Sequence, residues 1–254
     1  MRTRISPLLS VILVIVFIFS AATFVPASEV RLSVAASMTD VFKDLIGEYS
    51  KAHKEIKVLP NFGSSGGLAK QVVQGAPADL FVSANIKWLD FLIADNRIQS
   101  ETLHTLAHNS LVLVGREAGS IQSLLELLAM RRIGIGSPAS VPVGQYAKEA
   151  LTALDLYEEL MKMGKLVLAK DARQALVYAD RGETNGSFVY KTDALLARNA
   201  VILLEVPANL HSRISYRMAL TSSGVKRQEV RRFYQFIIEN SSPVVRRYGF
   251  TVPE

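Results

Sequence analysis

Between Asn61 and Leu80 the chain reads Asn-Phe-Gly-Ser-Ser-Gly-Gly-Leu-Ala-Lys and then Gln-Val-Val-Gln-Gly-Ala-Pro-Ala-Asp-Leu. Two hydroxyls, Ser64 and Ser65, stand among glycines just before an apolar stripe of Leu68, Val72 and Val73. That spacing predicts a helix starting at about Ser65 and stopped by Gly75 and Pro77. The first N–H groups of a helix have no acceptor within it, and glycine lets a ligand approach the main chain closely. Hydroxyl and amide donors gathered at one helix start outline an anion site. A serine in this place also serves as a plain helix cap. The letters Gly63-Ser64-Ser65-Gly66-Gly67 fit a third chemistry as well, the G-x-S-x-G turn of α/β-hydrolases with Ser65 as nucleophile.

Donors of the same kind recur along the chain. Ser37 stands where a buried strand, Arg31 to Ala36, gives way to a helix carrying Val41, Phe42, Leu45, Ile46 and Tyr49; Ser37 to Asp40 has capping-box spacing, with Asp in place of Glu. Pro142 suits the first turn of a helix running through Gln145 to Leu154, which leaves the N–H groups of Val143 and Gly144 facing the preceding loop. Asp171 to Gln174 repeats the capping-box spacing, so Ala172 opens a helix with an unused N–H. Tyr190 ends a short strand, Ser187 to Tyr190.

The elements that must position these groups alternate. Strands are predicted at Arg31–Ala36, Glu55–Leu59 and Leu80–Val82, with a helix in each gap, which implies a parallel sheet flanked by helices. In such sheets ligands sit beyond the carboxyl ends of the strands, where Ser37 and the Ser64-Ser65 pair both fall. Trp88, Leu89, Phe91 and Leu92 form the inward face of the next helix. Further strands are expected at Ser110–Val114, Arg132–Ile135, Leu166–Ala169, Val201–Val206 and Ser212–Leu220, and a leucine-rich helix at Ile121–Met130. Lys226 to Ile238 reads as an amphipathic helix with Val230, Phe233, Tyr234 and Ile237 inward and Arg227, Arg231 and Arg232 on a solvated face. Arg246 and Arg247 read the same way.

Arg2 and Arg4, an apolar run from Leu8 to Phe19 and small residues up to Ala27 are the three parts of a cleavable secretory signal, 1–27. Losing those two arginines lowers the formal charge from +6 to +4, a mild, dispersed excess that gives no argument for nucleic acid. There is no cysteine, hence no disulfide framework, no thiolate metal ligand and no lipid-bearing cysteine. The histidines, His53, His104, His108 and His211, show no metal-ligand spacing. The expected product is an exported, periplasmic protein.

Several stretches carry a family resemblance: Val34-Ala35-Ala36-Ser37-Met38-Thr39, the Gly63 to Lys70 turn and helix, Gly75-Ala76-Pro77-Ala78-Asp79-Leu80-Phe81, Val141 through Leu151, and Arg247-Tyr248-Gly249-Phe250. In this order and at these separations they resemble the periplasmic molybdate-binding proteins of molybdate ABC importers, across essentially the whole chain after the signal. The resemblance implies an α/β, two-lobed type II periplasmic binding fold, each lobe a mixed, mostly parallel sheet flanked by helices, with the ligand in the cleft between lobes. Lobe 1 would comprise 28–108 and 216–254, and lobe 2 109–215. The ligand-binding residues it implies are Ser37 and Ser65 through hydroxyl and N–H, Val143 and Ala172 through backbone N–H, and Tyr190 through its hydroxyl. Val143 stands where the family pattern has alanine and Ala172 where it has valine. Both roles are backbone roles, so the donors survive, while Val143 is expected to narrow the pocket.

The resemblance further implies a non-enzymatic protein that binds molybdate and tungstate, with molybdenum held only as the oxyanion and no cofactor. Its partners would be an inner-membrane ABC permease and its ATPase, not nucleic acid, and it would be a monomer. A shell made only of donors suits a fully deprotonated tetrahedral dianion and offers no acceptor to the proton of hydrogen phosphate. The competing reading is a secreted serine esterase using Ser65. A nucleophile turn needs a strand running straight into the serine, and Pro60 and Asn61 are expected to interrupt it. His211 has the chain order to complete a triad with Asp171 or Asp193, but no sequence feature ties it to Ser65. The effector domain of a transcription regulator, which can share this fold, is excluded by the signal segment and the lack of a DNA-binding segment.

Overall fold

Two apolar strand runs with no polar interruption, Leu80–Ser83 and Leu111–Gly115, are buried at every position, as strands covered on both faces must be. They belong to different sheets. In the computed structural model, which describes residues 28–116 and 121–253, the strands are β1 Ser28–Ala35, β2 Ile56–Gly63, β3 Leu80–Ser83, β4 His104–His108, β5 Leu111–Gly115, β6 Ile133–Gly136, β7 Leu166–Ala169, β8 Gly186–Tyr190, β9 Val201–Glu205 and β10 Ser215–Leu220. The helices are α1 Thr39–Ala52, α2 Ser65–Val73, α3 Ile86–Ala94, α4 Pro142–Thr152, α5 Leu156–Lys162, α6 Ala172–Asp180, α7 Lys191–Ala194 and α8 Gln228–Arg247. The segment expected to be a secretory signal lies outside the described residues. No helix among the described residues is long and apolar enough to cross a membrane.

The sheets have orders β2-β1-β3-β10-β4 and β7-β6-β8-β5-β9. In each, three strands run parallel, joined by helices, and a fourth runs antiparallel beside them: β10 against β3 and β4, β5 against β8 and β9. The antiparallel strand is in both cases the one that has just arrived from the other sheet. The fold is therefore two-lobed, and the chain passes between sheets at Asn109-Ser110 and again between β9 and β10. At the crossing the Asn109 N–H donates to the Ile214 carbonyl at 3.3 Å and the Lys191 N–H to Ser110 at 2.9 Å.

Helix α8 returns to the first sheet. Val230, Phe233, Ile237, Val244 and Val245 are buried, and Tyr49 of α1 meets Phe233 edge-on at 4.8 Å. The helix runs past the expected end at Ile238 and through Pro243, because buried Val244 and Val245 hold its last turn in place. Tyr234 is only partly buried and sends its hydroxyl to the Thr102 carbonyl at 2.6 Å.

Other expectations need correction. Arg227 is not on a solvated face: it binds the carboxylate of nearly buried Asp79 at 2.9 Å, the Glu29 carbonyl at 2.6 Å and Glu229. Asp79 also accepts the Arg31 N–H at 2.7 Å, so the Gly75-to-Phe81 motif ties strands and helix together rather than touching a ligand. Arg247, by contrast, is exposed as expected and pairs there with Asp44 at 3.1 Å, which also accepts the Tyr248 hydroxyl at 2.8 Å. Phe91 is 40% exposed, since the inward face of α3 is already filled by Trp88, Leu89 and Leu92. In place of a long helix over 121–130 there is a short 3-10 turn, Leu124–Ala129, capped by Ser123 and Glu126. Helix α5 had no counterpart in the sequence reading, although Leu156, Tyr157 and Leu160 carry helical spacing and are buried.

Candidate anion-binding site

Six chain segments, three from each sheet, converge on one cavity. Its wall is Ala35, Ala36 and Ser37 after β1; Gly63, Ser64 and Ser65 after β2; Ala84 after β3; Val141, Pro142 and Val143 after β6; Ala172 after β7; and Tyr190 at the end of β8. All five residues named from the sequence, Ser37, Ser65, Val143, Ala172 and Tyr190, are in this wall. The cavity is small, about 200 Å³ including the open space at its mouth. Among the described residues none with a charged side chain lines it.

Local chemistry explains each position. Ser64 caps α2 by accepting the Gly67 N–H at 3.2 Å, which leaves Ser65 as the first helical residue. Ser65 is fully buried and accepts the Ala84 N–H at 3.2 Å, leaving its own proton for the cavity. Pro142 occupies the first turn of α4, and Asp171 caps α6 by accepting the Gln174 N–H at 2.8 Å. Val143 and Ala172 thus sit in first turns, where backbone N–H groups have no acceptor in their own helix. The expectation for Gly144 does not hold: its N–H is taken by the Val141 carbonyl at 3.0 Å. Tyr190 is buried, its hydroxyl makes no hydrogen bond of good geometry among the described residues, and its nearest polar influence is Tyr216, whose ring lies 5.7 Å away. Burial pushes that hydroxyl's pKa well above its ordinary value, so it keeps its proton and acts as a donor.

Ser37 differs from its sequence reading. It lies within a 3-10 turn, Ala36–Met38, and caps nothing; the cap of α1 falls at Met38, without a side-chain bond. The Ser37 hydroxyl instead meets Tyr216 at 2.8 Å. Tyr216, which is not in the cavity wall, is a support of the site that sequence reasoning missed, and no local signal marks it, because its partner is 179 residues away.

The lobes touch directly around the cavity. The Gly66 N–H donates to the Ser140 carbonyl at 2.9 Å, the Tyr146 hydroxyl to the Ala84 carbonyl at 3.0 Å, and Arg173 of α6 reaches Asp40 of α1 at 2.7 Å. Arg173 Nε also lies 2.9 Å from Asp193, misaligned for a hydrogen bond, and the other oxygen of fully buried Asp193 has no partner. Burial, opposed by Arg173, pushes the Asp193 carboxyl up to about 7. An unfolded Asp loses its proton near about 3.9, so between about 4 and about 7 the folded protein holds the extra proton and stability falls as pH rises. Melting curves of Asp193→Asn are expected to lose that slope between pH 5 and pH 8; a variant as pH-sensitive as the parent would assign the slope elsewhere.

Strand β2 runs through Pro60 and Asn61 to Gly63, paired with β1 throughout, so the expected interruption before the serines is absent. Proline is tolerated because β2 is an edge strand and the ladder loses no bond on its open side. That argument against a nucleophilic Ser65 therefore falls. The cavity wall supplies a different one: it contains no histidine, carboxylate or lysine that would serve as a base. His211 lies edge-on to Tyr146 at 5.9 Å and is not in the cavity wall. Among the described residues no cluster of three or more His, Cys, Asp or Glu is placed to hold a metal ion.

A family described as bacterial extracellular solute-binding proteins matches residues 30–251. The molybdate-binding protein ModA of Escherichia coli K12 is 34% identical, over 92% of this chain and 94% of its own length. ModA of Haemophilus influenzae is 33% identical, over 90% and 92%. Among solved structures, the periplasmic molybdate-binding protein of Azotobacter vinelandii superposes with a TM-score of 0.78 at 24% identity, covering 89% of this chain and all of that one, a likeness of fold.

Proposed function

We propose, from the premise that the chain belongs to the bacterial extracellular solute-binding protein family, that it captures molybdate outside the cytoplasm and delivers it to an ABC permease. The observation that carries this reading is a cavity walled by hydroxyl and amide donors from both sheets, with no charged side chain. Ser37 and Ser65 contribute hydroxyl and N–H, Val143 and Ala172 their N–H groups, and Tyr190 its hydroxyl. A hydrogen bond to a charged group contributes roughly 1.5–3 kcal/mol, so such a set offsets the desolvation of a dianion without a counter-charge. The relatives at 33–34% identity are molybdate-binding proteins, which supports the same choice. Tungstate has nearly the same size and charge and is expected to bind alike.

In this reading 28–108 and 216–254 form one lobe and 109–215 the other, and neither holds a complete shell. The anion gains its full set of bonds only when the lobes meet, and so it favours the closed form by that difference. Removal of 1–27 on export would leave the protein in the periplasm, where the closed form is the one a permease would recognise. Calorimetric titration with molybdate, tungstate, sulfate and phosphate tests the assignment. Molybdate and tungstate are expected to bind one to one, about a hundredfold or more tighter than hydrogen phosphate. Molybdate at a hundred times Kd should add about 2.7 kcal/mol of stability and contract the protein in small-angle scattering. Absence of molybdate binding, or phosphate binding as tight, would overturn the proposal.

A further inference from the structure

Ser37 is the one hydroxyl of the cavity held by a second hydroxyl, and that hydroxyl is held in turn. Tyr216, fully buried, lies 2.8 Å from Ser37 Oγ, and Asn109 Nδ2 lies 3.5 Å from the Tyr216 oxygen. The Asn109 amide has a fixed sense: its Oδ1 accepts the Ser110 N–H at 2.9 Å, and its Nδ2 donates to Thr192 Oγ1 at 2.9 Å. An amide nitrogen only donates, so the Tyr216 oxygen must accept from Asn109. With the Asn109 amide on its oxygen, Tyr216 is disposed to give its single proton to Ser37 Oγ, the direction that leaves the proton of Ser37 for the cavity. Tyr216 does not lose that proton, because burial holds its pKa well above the ordinary tyrosine value.

We propose that Tyr216, oriented by Asn109, is a specificity-determining residue that sets Ser37 to donate to the bound anion rather than accept from it. The inference rests on the reading that Ser37 contacts an oxyanion, and it adds a mechanism for rejecting protonated ones. A free serine hydroxyl can rotate and accept the proton of hydrogen phosphate. One whose oxygen already accepts from Tyr216 turns its proton to the cavity, and that proton faces the proton of hydrogen phosphate across the contact. Discrimination is set by the direction of a hydrogen-bond chain that begins at the crossing between the lobes.

Two variants test the direction. Tyr216→Phe keeps the ring and frees Ser37. Asn109→Asp replaces a donor by an acceptor, so that Tyr216 donates to it, accepts from Ser37, and leaves Ser37 facing the cavity with lone pairs. Molybdate, sulfate and phosphate are titrated into the purified protein and both variants at about pH 8, where phosphate is a singly protonated dianion. All three ligands then carry the same charge, so the added carboxylate of Asn109→Asp cancels in their affinity ratios. The preference for molybdate over phosphate is expected to narrow at least about tenfold in both variants, while the preference for molybdate over sulfate stays within about threefold. If both preferences stay at the parent values while affinity drops uniformly, Tyr216 is merely structural and the inference fails. A parent that does not prefer molybdate would instead sink the functional reading on which it rests.

Discussion

Gly66→Ala is expected to leave a protein that no longer closes on its ligand. The hydrogen of Gly66 faces the contact between lobes: a methyl group there would stand 2.6 Å from the Ser140 carbonyl oxygen and 2.4 Å from the Trp88 ring. Real side-chain carbons do not approach so closely, and the carbonyl belongs to the backbone of the opposite lobe. The Trp88 clash lies within the first lobe and persists in every state, so overpacking of about 1–3 kcal/mol should lower the melting temperature of the free protein by several degrees. The Ser140 clash exists only when the lobes meet. It also removes the Gly66 N–H bond to Ser140, and it acts wholly against the state that binds. Molybdate affinity should fall about a hundredfold or more, and scattering should show no contraction at saturation. A variant that binds and contracts like the parent would show that this contact is not part of closure.

Ser65→Ala carries the next largest effect, for two reasons that act in different states. With ligand bound, the anion loses a charge-assisted donor, about 1.5–3 kcal/mol, which is roughly ten- to a hundredfold in affinity. Without ligand, the Ala84 N–H loses its acceptor in a fully buried position. A serine on an exposed turn would leave stability unchanged, but here the free protein should also melt a few degrees lower. Calorimetry and thermal melts on the same sample separate the two effects. Treatment with a serine-reactive fluorophosphonate should leave Ser65 unlabelled, and stoichiometric labelling would reinstate the esterase reading.

How much of this was legible in the letters depended on distance along the chain. The Ser64 cap, the start of α2 at Ser65, Pro142 in the first turn of α4 and the Asp171 cap of α6 are set by neighbours within four residues, and each was readable. The alternation of strand and helix gave the parallel part of the first sheet for the same reason, while the second sheet was implied only by the family resemblance. Ser37 went wrong because a local capping pattern lost to a tertiary partner, Tyr216, that nothing nearby announces. Arg227 was read as solvated from its helix face, yet its ion pair to Asp79 is fixed by how α8 returns to the first sheet. Pro60 was read as a strand breaker because a sequence does not say which strand will be at an edge. The same limit hid the Asp193–Arg173–Asp40 group, in which the Arg173–Asp40 pair spans the two lobes.

The position of β10 also has a bearing on how the chain is made. Strand β10 lies between β3 and β4, and β4 has no other neighbour in its sheet. The second sheet uses only residues from 111 to 205, so a ribosome completes its parts first. The sheet that begins at Ser28 stays open until residues 215–220 have been synthesised, and α8, which covers it, comes later still. Domains usually fold in the order in which they are translated. Here the lobe that starts first must finish last, and an exported chain whose N-terminal sheet cannot close early remains threadable until nearly all of it has been made.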